Sequence, residues 1–248
     1  MFDYMNTINE KIKVICFCHA GGSAYNYSSF KQYFPNNIEF TPYDLPGHGS
    51  KIRKDLIRNM DDLLDTIYVD IAPTLDSPYA FYGHSLGTVI AFSLTKKICT
   101  NNKNQPIHLF LSGRGNSSYL HNDKIQRHLL PKDAFRTMLK DMGGMPKSVL
   151  ENDELMDFFE PIIRADFELL ESYCSLSSNK LNIPFSVFIG DSEKTTKEEA
   201  QQWQNETTIP IRLHIMQGDH FFIFDRTQEI VSEMTSVLNS TKTPYRSA

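Results

Sequence analysis

Gly83-His84-Ser85-Leu86-Gly87 is a stretch of this chain whose residue types and spacing could do covalent chemistry. A serine with glycine two residues away on either side suits a sharp strand-to-helix turn. The strained backbone of the serine then needs neighbours without side-chain bulk. Its hydroxyl would stand at a helix N-terminus, where aligned amide dipoles favour a developing negative charge. A serine hydroxyl is a weak nucleophile and needs a base. Of the eight histidines, His220 in Gln217-Gly218-Asp219-His220-Phe221 is placed best. His19, His48 and His84 precede or adjoin the serine, His108 and His214 fall inside apolar stretches that read as strands, and His121 and His128 lie in a helical region. A carboxylate must orient the imidazole and stabilise its cation. Gly190-Asp191-Ser192-Glu193-Lys194 offers two, Asp191 and Glu193.

Something must position these residues. Short apolar runs alternate with longer amphipathic ones, the pattern of βα units around a largely parallel sheet. Strands are predicted at Val14–Cys18, Ile38–Tyr43, Tyr79–Tyr82, Ile107–Ser112, Phe185–Ile189 and Ile211–Ile215. Several are almost continuously apolar, as strands covered on both faces should be, and Pro184 suits a strand start. Helices are predicted at Met60–Thr74, Leu86–Ile98, Glu198–Asn205 and Thr227–Leu238. Between Arg114 and Leu181 the alternation breaks, leaving helical patterns at Lys132–Met142, Asp153–Ile163 and Ala165–Cys174 with Gly143-Gly144-Met145-Pro146 between the first two. One crossover rarely needs so many helices. The expectation is a single α/β-hydrolase domain over 1–248: a mostly parallel central sheet, flanking helices, and a helical lid inserted at about 115–181.

In that fold the catalytic residues follow the order serine, acid, histidine, which Ser85 and His220 allow. The acid often stands three residues after a glycine such as Gly190, which favours Glu193; Asp191 competes, being nearer the strand end and shorter. The strand end after Ile107–Ser112 offers Gly113 and Arg114 and no carboxylate. An oxyanion needs two preorganised N–H groups. Leu86 should supply one, and the loop Cys18-His19-Ala20-Gly21-Gly22-Ser23 the other, best from Ala20. A phosphate-cradling reading of Gly21-Gly22 lacks the lysine and hydroxyl of a P-loop.

Composition excludes other classes. The chain has 248 residues, is 40% hydrophobic and 22% charged, and carries a net charge of -5, which argues against a nucleic-acid surface. The short basic stretch Lys51 to Lys54 reads as a solvated loop. Cys16 and Cys18 lie two apart and would share a strand face, but no second pair completes a metal site. Cys16, Cys18, Cys99 and Cys174 read as small hydrophobes in a reducing compartment. No targeting segment is apparent, since Asp3 and Glu10 precede the apolar run from Val14 and no basic region leads it. No apolar stretch approaches the ~20 residues that span a bilayer. A cytoplasmic monomer is expected, with a frayed polar tail from Thr241 to Ala248.

Taken together, the motifs resemble the type II thioesterases that accompany nonribosomal peptide and polyketide synthases. The resemblance rests on Phe17-Cys18-His19-Ala20-Gly21-Gly22-Ser23, Asp44-Leu45-Pro46-Gly47-His48-Gly49 and Tyr82-Gly83-His84-Ser85-Leu86-Gly87. It also rests on Leu111-Ser112-Gly113-Arg114, Gly143-Gly144-Met145-Pro146, Pro161-Ile162-Ile163-Arg164-Ala165-Asp166-Phe167 and Gly218-Asp219-His220-Phe221-Phe222. Glu193 departs from the family, which usually has aspartate there. The resemblance implies hydrolysis of acyl groups from the phosphopantetheine arm of acyl or peptidyl carrier proteins, with Ser85 attacking and His220 moving protons. It implies no metal and no bound cofactor. A free-ester carboxylesterase or lipase would share these catalytic residues, and a non-catalytic binding protein of this fold would normally lack the serine or histidine.

Overall fold

The computed structural model describes residues 11–100, 104–116, 126–173 and 179–240. His121, Cys174 and the tail from Thr241 lie outside the described residues, as do parts of the 115–181 stretch. Six parallel strands form one sheet: β1 (Ile12–Phe17), β2 (Ile38–Tyr43), β3 (Tyr79–His84), β4 (His108–Ser112), β5 (Phe185–Gly190) and β6 (Arg212–Met216), in the order β2-β1-β3-β4-β5-β6. The predicted strands are all present, with ends displaced by one or two residues where they differ.

Both faces of the sheet's central strands are buried, while the edge strands β2 and β6 keep exposed residues. Ile15 and Phe17 of β1 pack with Leu63, Ile67, Val89 and Ile90 on one side, while Val14 and Cys16 pack with Ile230, Val231 and Met234 on the other. The helices concerned are α1 (Met60–Ile71), α2 (Leu86–Thr100) and α8 (Thr227–Ser240). Every residue of β3, β4 and β5 is buried. A strand covered on two sides cannot alternate apolar with polar, and these do not. Cys16, Cys18 and Cys99 are free, the first two fully inside.

The chain enters mid-sheet at β1, runs out to β2 and returns past β1 to β3 before proceeding to β6. The carboxyl ends of β1 and β3 therefore flank a topological switch point, where connections diverge and leave a crevice. The loops that follow β1, β3, β5 and β6 carry Ala20, Ser85, Glu193 and His220.

The 115–181 stretch holds α3 (Lys132–Met142), α4 (Lys147–Leu150) and α5 (Asp153–Ser172). The two helices predicted over Asp153–Cys174 are one. Pro161 lies inside it, and the helix survives the lost backbone bond because Ile162, Ile163, Ala165, Asp166 and Phe167 are all buried around it. Asn152 caps its start, accepting from the Leu155 N–H at 3.1 Å. Phe135, Leu139, Met156, Ile163 and Phe167 form a local core. The apolar residues of these helices are only partly internal, since Leu155 and Phe158 are 39% and 53% exposed. Further along α5, Leu169 and Leu170 join the core of the sheet, so a single helix ties the inserted segment to the main body. The helix predicted at Glu198–Asn205 begins as α6 (Lys197–Gln201) and tightens into a 3-10 turn at Gln202–Glu206, where Trp203 is buried and donates from Nε1 to the Arg114 carbonyl at 2.9 Å. α7 (Phe222–Asp225) and the 3-10 segment Ala24–Tyr33 went unpredicted. They are short, or lack the spacing of an α-helix.

Two glycines permit close approach of backbone to backbone at the turn around Ser85. A Cβ on Gly83 would stand 2.1 Å from the Gly87 carbonyl oxygen, and one on Gly87 would stand 1.9 Å from the Phe17 carbonyl oxygen. Backbone cannot yield as a flexible side chain can. Gly87→Ala should therefore destabilise the protein by at least about 3 kcal/mol in urea unfolding. At Gly143, where φ is +74 and ψ is -166 and a Cβ would meet open space, alanine should lose only the backbone term of that glycine-favoured region, about 1–3 kcal/mol.

Candidate active site

Ser85 is the only non-glycine residue at positive φ among the described residues, at φ 56. Strain of this kind costs roughly 1–3 kcal/mol and persists only where surroundings over-determine it. Here the Ser85 N–H donates to the Ser112 carbonyl at 2.9 Å, and Thr88 Oγ1 lies 2.8 Å from the carbonyls of both Gly83 and Ser112. The turn is thus clamped from β4. It sets Ser85 immediately before α2, whose first residue is Leu86, so the Leu86 N–H is one of the donors a helix start leaves without an intrahelical partner.

His220 follows β6 on a loop laced to the one after β5. The Asp191 N–H donates to the Met216 carbonyl at 2.8 Å and the Ser192 N–H to the Gly218 carbonyl at 3.0 Å. Gly190 allows this approach, since a Cβ there would come within 2.4 Å of the Gly218 carbonyl oxygen. The His220 Nδ1 lies 2.8 Å from Glu193 Oε2, and the other oxygen of Glu193 accepts the Gly190 N–H at 2.9 Å. The Glu193 side chain is 1% exposed and that of His220 is 24% exposed. An ionised carboxylate accepts only, so Nδ1 holds the proton and Nε2 keeps its lone pair for a substrate-side partner. Asp191 does not reach the imidazole. Its Oδ1 accepts from the Gly218 N–H at 3.0 Å and from Ser192 Oγ at 2.8 Å, and the Gly218 bond, then the Ser192 bond, hold its pKa below the usual carboxylate value.

Neutral aromatic rings surround His220. The His84 ring lies 4.9 Å away, tilted 37°, which brings the imidazole beside the elbow that carries Ser85. Burial, then proximity to His220, pushes the His84 pKa well below its ordinary value. The same two causes lower that of His19 to about 4. Gly113 at φ 66 makes room for both rings, as a Cβ would stand 2.3 Å from His84 Cε1 and 3.2 Å from His220 Cε1. Phe221 packs edge-on against His220 at 5.1 Å and touches Gly144, where a Cβ would fall 2.0 Å from the ring. The glycine pair after α3 is therefore not a free hinge: Gly143 faces open space and Gly144 is packed tight.

The loop after β1 makes a turn in which the Gly22 N–H donates to the His19 carbonyl at 2.9 Å, with Gly21 at φ 73 in its third position, as a type II turn requires. In a trans peptide the N–H points opposite to the carbonyl. With the His19 carbonyl turned inward, the Ala20 N–H points out of the turn. Asp44 holds the far end of the loop, accepting from the Ala24 N–H at 2.7 Å and from the Ser50 N–H at 2.8 Å. Asp44, His48, Asp166 and Gly113 stand within recognisable motifs, yet nothing local to them assigns a task. Among the described residues no group of His, Cys, Asp or Glu is arranged to hold a metal ion, and no helix is long and apolar enough to cross a membrane.

The parallel sheet and the strained strand-serine-helix turn at its switch point define an α/β hydrolase. Residues 12–238 match the thioesterase domain family, and the chain belongs to it. The gramicidin S biosynthesis protein GrsT of Aneurinibacillus migulanus is 29% identical over 235 residues, covering 94% of this chain and 91% of its own. The medium-chain S-acyl fatty acid synthase thioesterase of Homo sapiens is 30% identical over 226 residues, 88% of this chain and 83% of its own. Among solved structures, ClbQ from the colibactin NRPS/PKS pathway superposes with a TM-score of 0.86 at 31% identity, covering 93% of this chain and 98% of its own. The chain is a thioester hydrolase, and the family resemblance read from its sequence is borne out.

Glu193→Gln should lower kcat by roughly 10⁴-fold, because a neutral amide neither fixes the tautomer nor balances the imidazolium. Asp191→Asn removes charge from a surface hydrogen bond worth about 1 kcal/mol and should shift kcat by less than roughly tenfold; steady-state kinetics on an acyl-N-acetylcysteamine compare the two. Gly144→Ala should displace Phe221 and with it His220, lowering kcat by up to roughly 10²-fold, whereas Gly143→Ala should leave kcat near wild type in the same assay.

Proposed function

We propose that this chain is a type II thioesterase serving a nonribosomal peptide or polyketide synthase, hydrolysing acyl groups from the phosphopantetheine arm of carrier proteins. The observation that carries the proposal is the buried Glu193 bonded to His220 at 2.8 Å beside a serine elbow, in a chain similar to GrsT and ClbQ over nearly its whole length.

Ser85, His220 and Glu193 act as the triad. Ser85 Oγ attacks the thioester carbonyl carbon while His220 Nε2 takes the hydroxyl proton. Glu193 balances the resulting imidazolium across the Nδ1 bond. The Leu86 and Ala20 N–H groups stabilise the tetrahedral oxyanion, a contribution worth about 10²–10³-fold per donor in enzymes of this kind. Collapse breaks the carbon–sulfur bond, and the leaving pantetheine sulfur takes the proton from His220, which returns to the neutral base. Water then enters, His220 removes its proton as the oxygen attacks the acyl-serine ester, and collapse passes that proton to Ser85 Oγ, releasing a carboxylic acid and restoring Ser85. The chain's own residues supply every group these steps use, so the proposal requires no metal or bound cofactor. Free Cys16, Cys18 and Cys99 suit a reducing cytoplasm.

The test uses mass spectrometry of carrier proteins loaded with a panel of acyl groups. Wild-type enzyme should remove the acyl mass and leave the free thiol arm, and Ser85→Ala should leave the acyl group in place, its kcat lowered by about 10⁶-fold. Cleavage of simple esters with carrier-bound thioesters untouched would mark a carboxylesterase instead. Hydrolysis by pure Ser85→Ala above a tenth of wild type would remove Ser85 from the mechanism.

A further inference from the structure

Asp166 lies on α5, 1% exposed, and its Oδ2 reaches across the fold to two partners. It accepts the Gly21 N–H at 2.7 Å and lies 2.9 Å from His48 Nε2. The other ring nitrogen of His48 lies 3.0 Å from the Pro46 carbonyl oxygen. A carbonyl can only accept, so Nδ1 carries a proton. The ionised carboxylate can only accept, so Nε2 carries one too. His48 is thus an imidazolium, 4% exposed, in a buried ion pair. Burial opposes its charge, but the bond to Asp166 and its negative charge, then the Pro46 carbonyl and the nearby Asp44, together hold its pKa above the ordinary histidine value.

This pair fixes a backbone direction. Two peptide planes flank the Cα of Ala20. The His19–Ala20 plane is held through its carbonyl by the Gly22 N–H, and the Ala20–Gly21 plane is held through its N–H by Asp166. With both planes fixed, the Ala20 N–H has one orientation. Ile163, three residues before Asp166 on α5, presses on the same turn, where a Cβ on Gly21 would come within 2.7 Å of its Cγ1. A buried polar group left without its partner is costly, so the bond to Asp166 is not readily exchanged for another.

We propose that Asp166, itself held by His48, is a positioning residue for the oxyanion hole, so that helix α5 of the inserted segment sets the direction of the Ala20 amide. This rests on the reading of Ser85 as nucleophile and Ala20 as oxyanion donor. It adds that the hole is assembled by a helix far from Ala20 in sequence, and that neither Asp166 nor His48 touches substrate.

The test measures kcat, KM and the Ki of an alkyl trifluoromethyl ketone, whose serine adduct carries an oxyanion, with each enzyme normalised by active-site titration. Asp166→Ala should lower kcat by about 10²-fold and weaken the ketone by a similar factor, while KM for an acyl-N-acetylcysteamine stays within about threefold. Asp166→Asn should recover to within about tenfold of wild-type kcat, since its amide oxygen, set where Oδ2 stands, can still accept from the Gly21 N–H and from a neutral His48 that carries its proton on Nε2. If Asp166→Ala does not fold, His48→Gln decides by the same split at smaller amplitude. A loss confined to KM or to the titrated fraction, with kcat and ketone affinity of the active fraction intact, overturns the proposal. A wild-type enzyme without thioesterase activity would remove the functional reading and this inference with it. An active wild type with unaltered kcat in the variants removes this inference alone.

Discussion

The catalytic end of this sheet depends on how closely two pieces of backbone can approach each other without side chains between them. Gly83 and Gly87 let the chain fold back so tightly that a methyl group on either would overlap a carbonyl oxygen. That approach seats α2 against the end of β1 and forces Ser85 to positive φ. The strain is not absorbed locally. Hydrogen bonds from Ser85 and Thr88 to Ser112 anchor it to the neighbouring strand, so the elbow stands only because β3 and β4 are in register, His84 opposite Ser112. The same packing that places the serine also starts a helix at its back, and the dipole favouring an oxyanion comes with the geometry.

Around the elbow the charges are arranged with economy. His19 and His84 lie close to His220, and either one carrying a proton would oppose protonation of the His220 imidazole. Burial keeps both neutral, with the His19 pKa near 4. The sign follows: their positive charge appears only below the ordinary histidine range, so at neutral pH His220 meets one nearby carboxylate charge, that of Glu193, and uncharged rings. Exposed Asp191, by contrast, serves the backbone that carries the loop.

The inserted helices are part of the same construction. α5 begins in a small core of its own and ends in the core of the sheet, and on the way it contributes Ile163 and Asp166 to the turn at Gly21. The segment after α3 adds Gly144 beneath Phe221. Both loops bearing the active groups thus rest on residues from the stretch that looked, by its helical pattern, like a separate cover. A segment bonded to the catalytic loops in this way cannot shift without moving them.

What the sequence by itself determined follows from local physics. The strands are legible because a strand buried on both faces must be continuously apolar, and the elbow because only glycine tolerates the turn at positions 83 and 87. That a serine after β3, a carboxylate after β5 and His220 after β6 share one edge was equally readable, since in a parallel sheet every carboxyl end falls on one side. Tertiary structure decided what depends on atoms distant in the chain. Whether Glu193 or Asp191 meets His220 turns on how the loops after β5 and β6 are laced together, and spacing alone left that open. That one helix runs unbroken through Pro161 and Arg164 depends on the buried residues from Ile162 to Phe167. That Gly144 is a packing glycine and Gly143 is not depends on a ring from Phe221. Asp166 meets Gly21 across 145 residues and His48 across 118, and no local pattern encodes a hydrogen bond between residues that only the fold brings together.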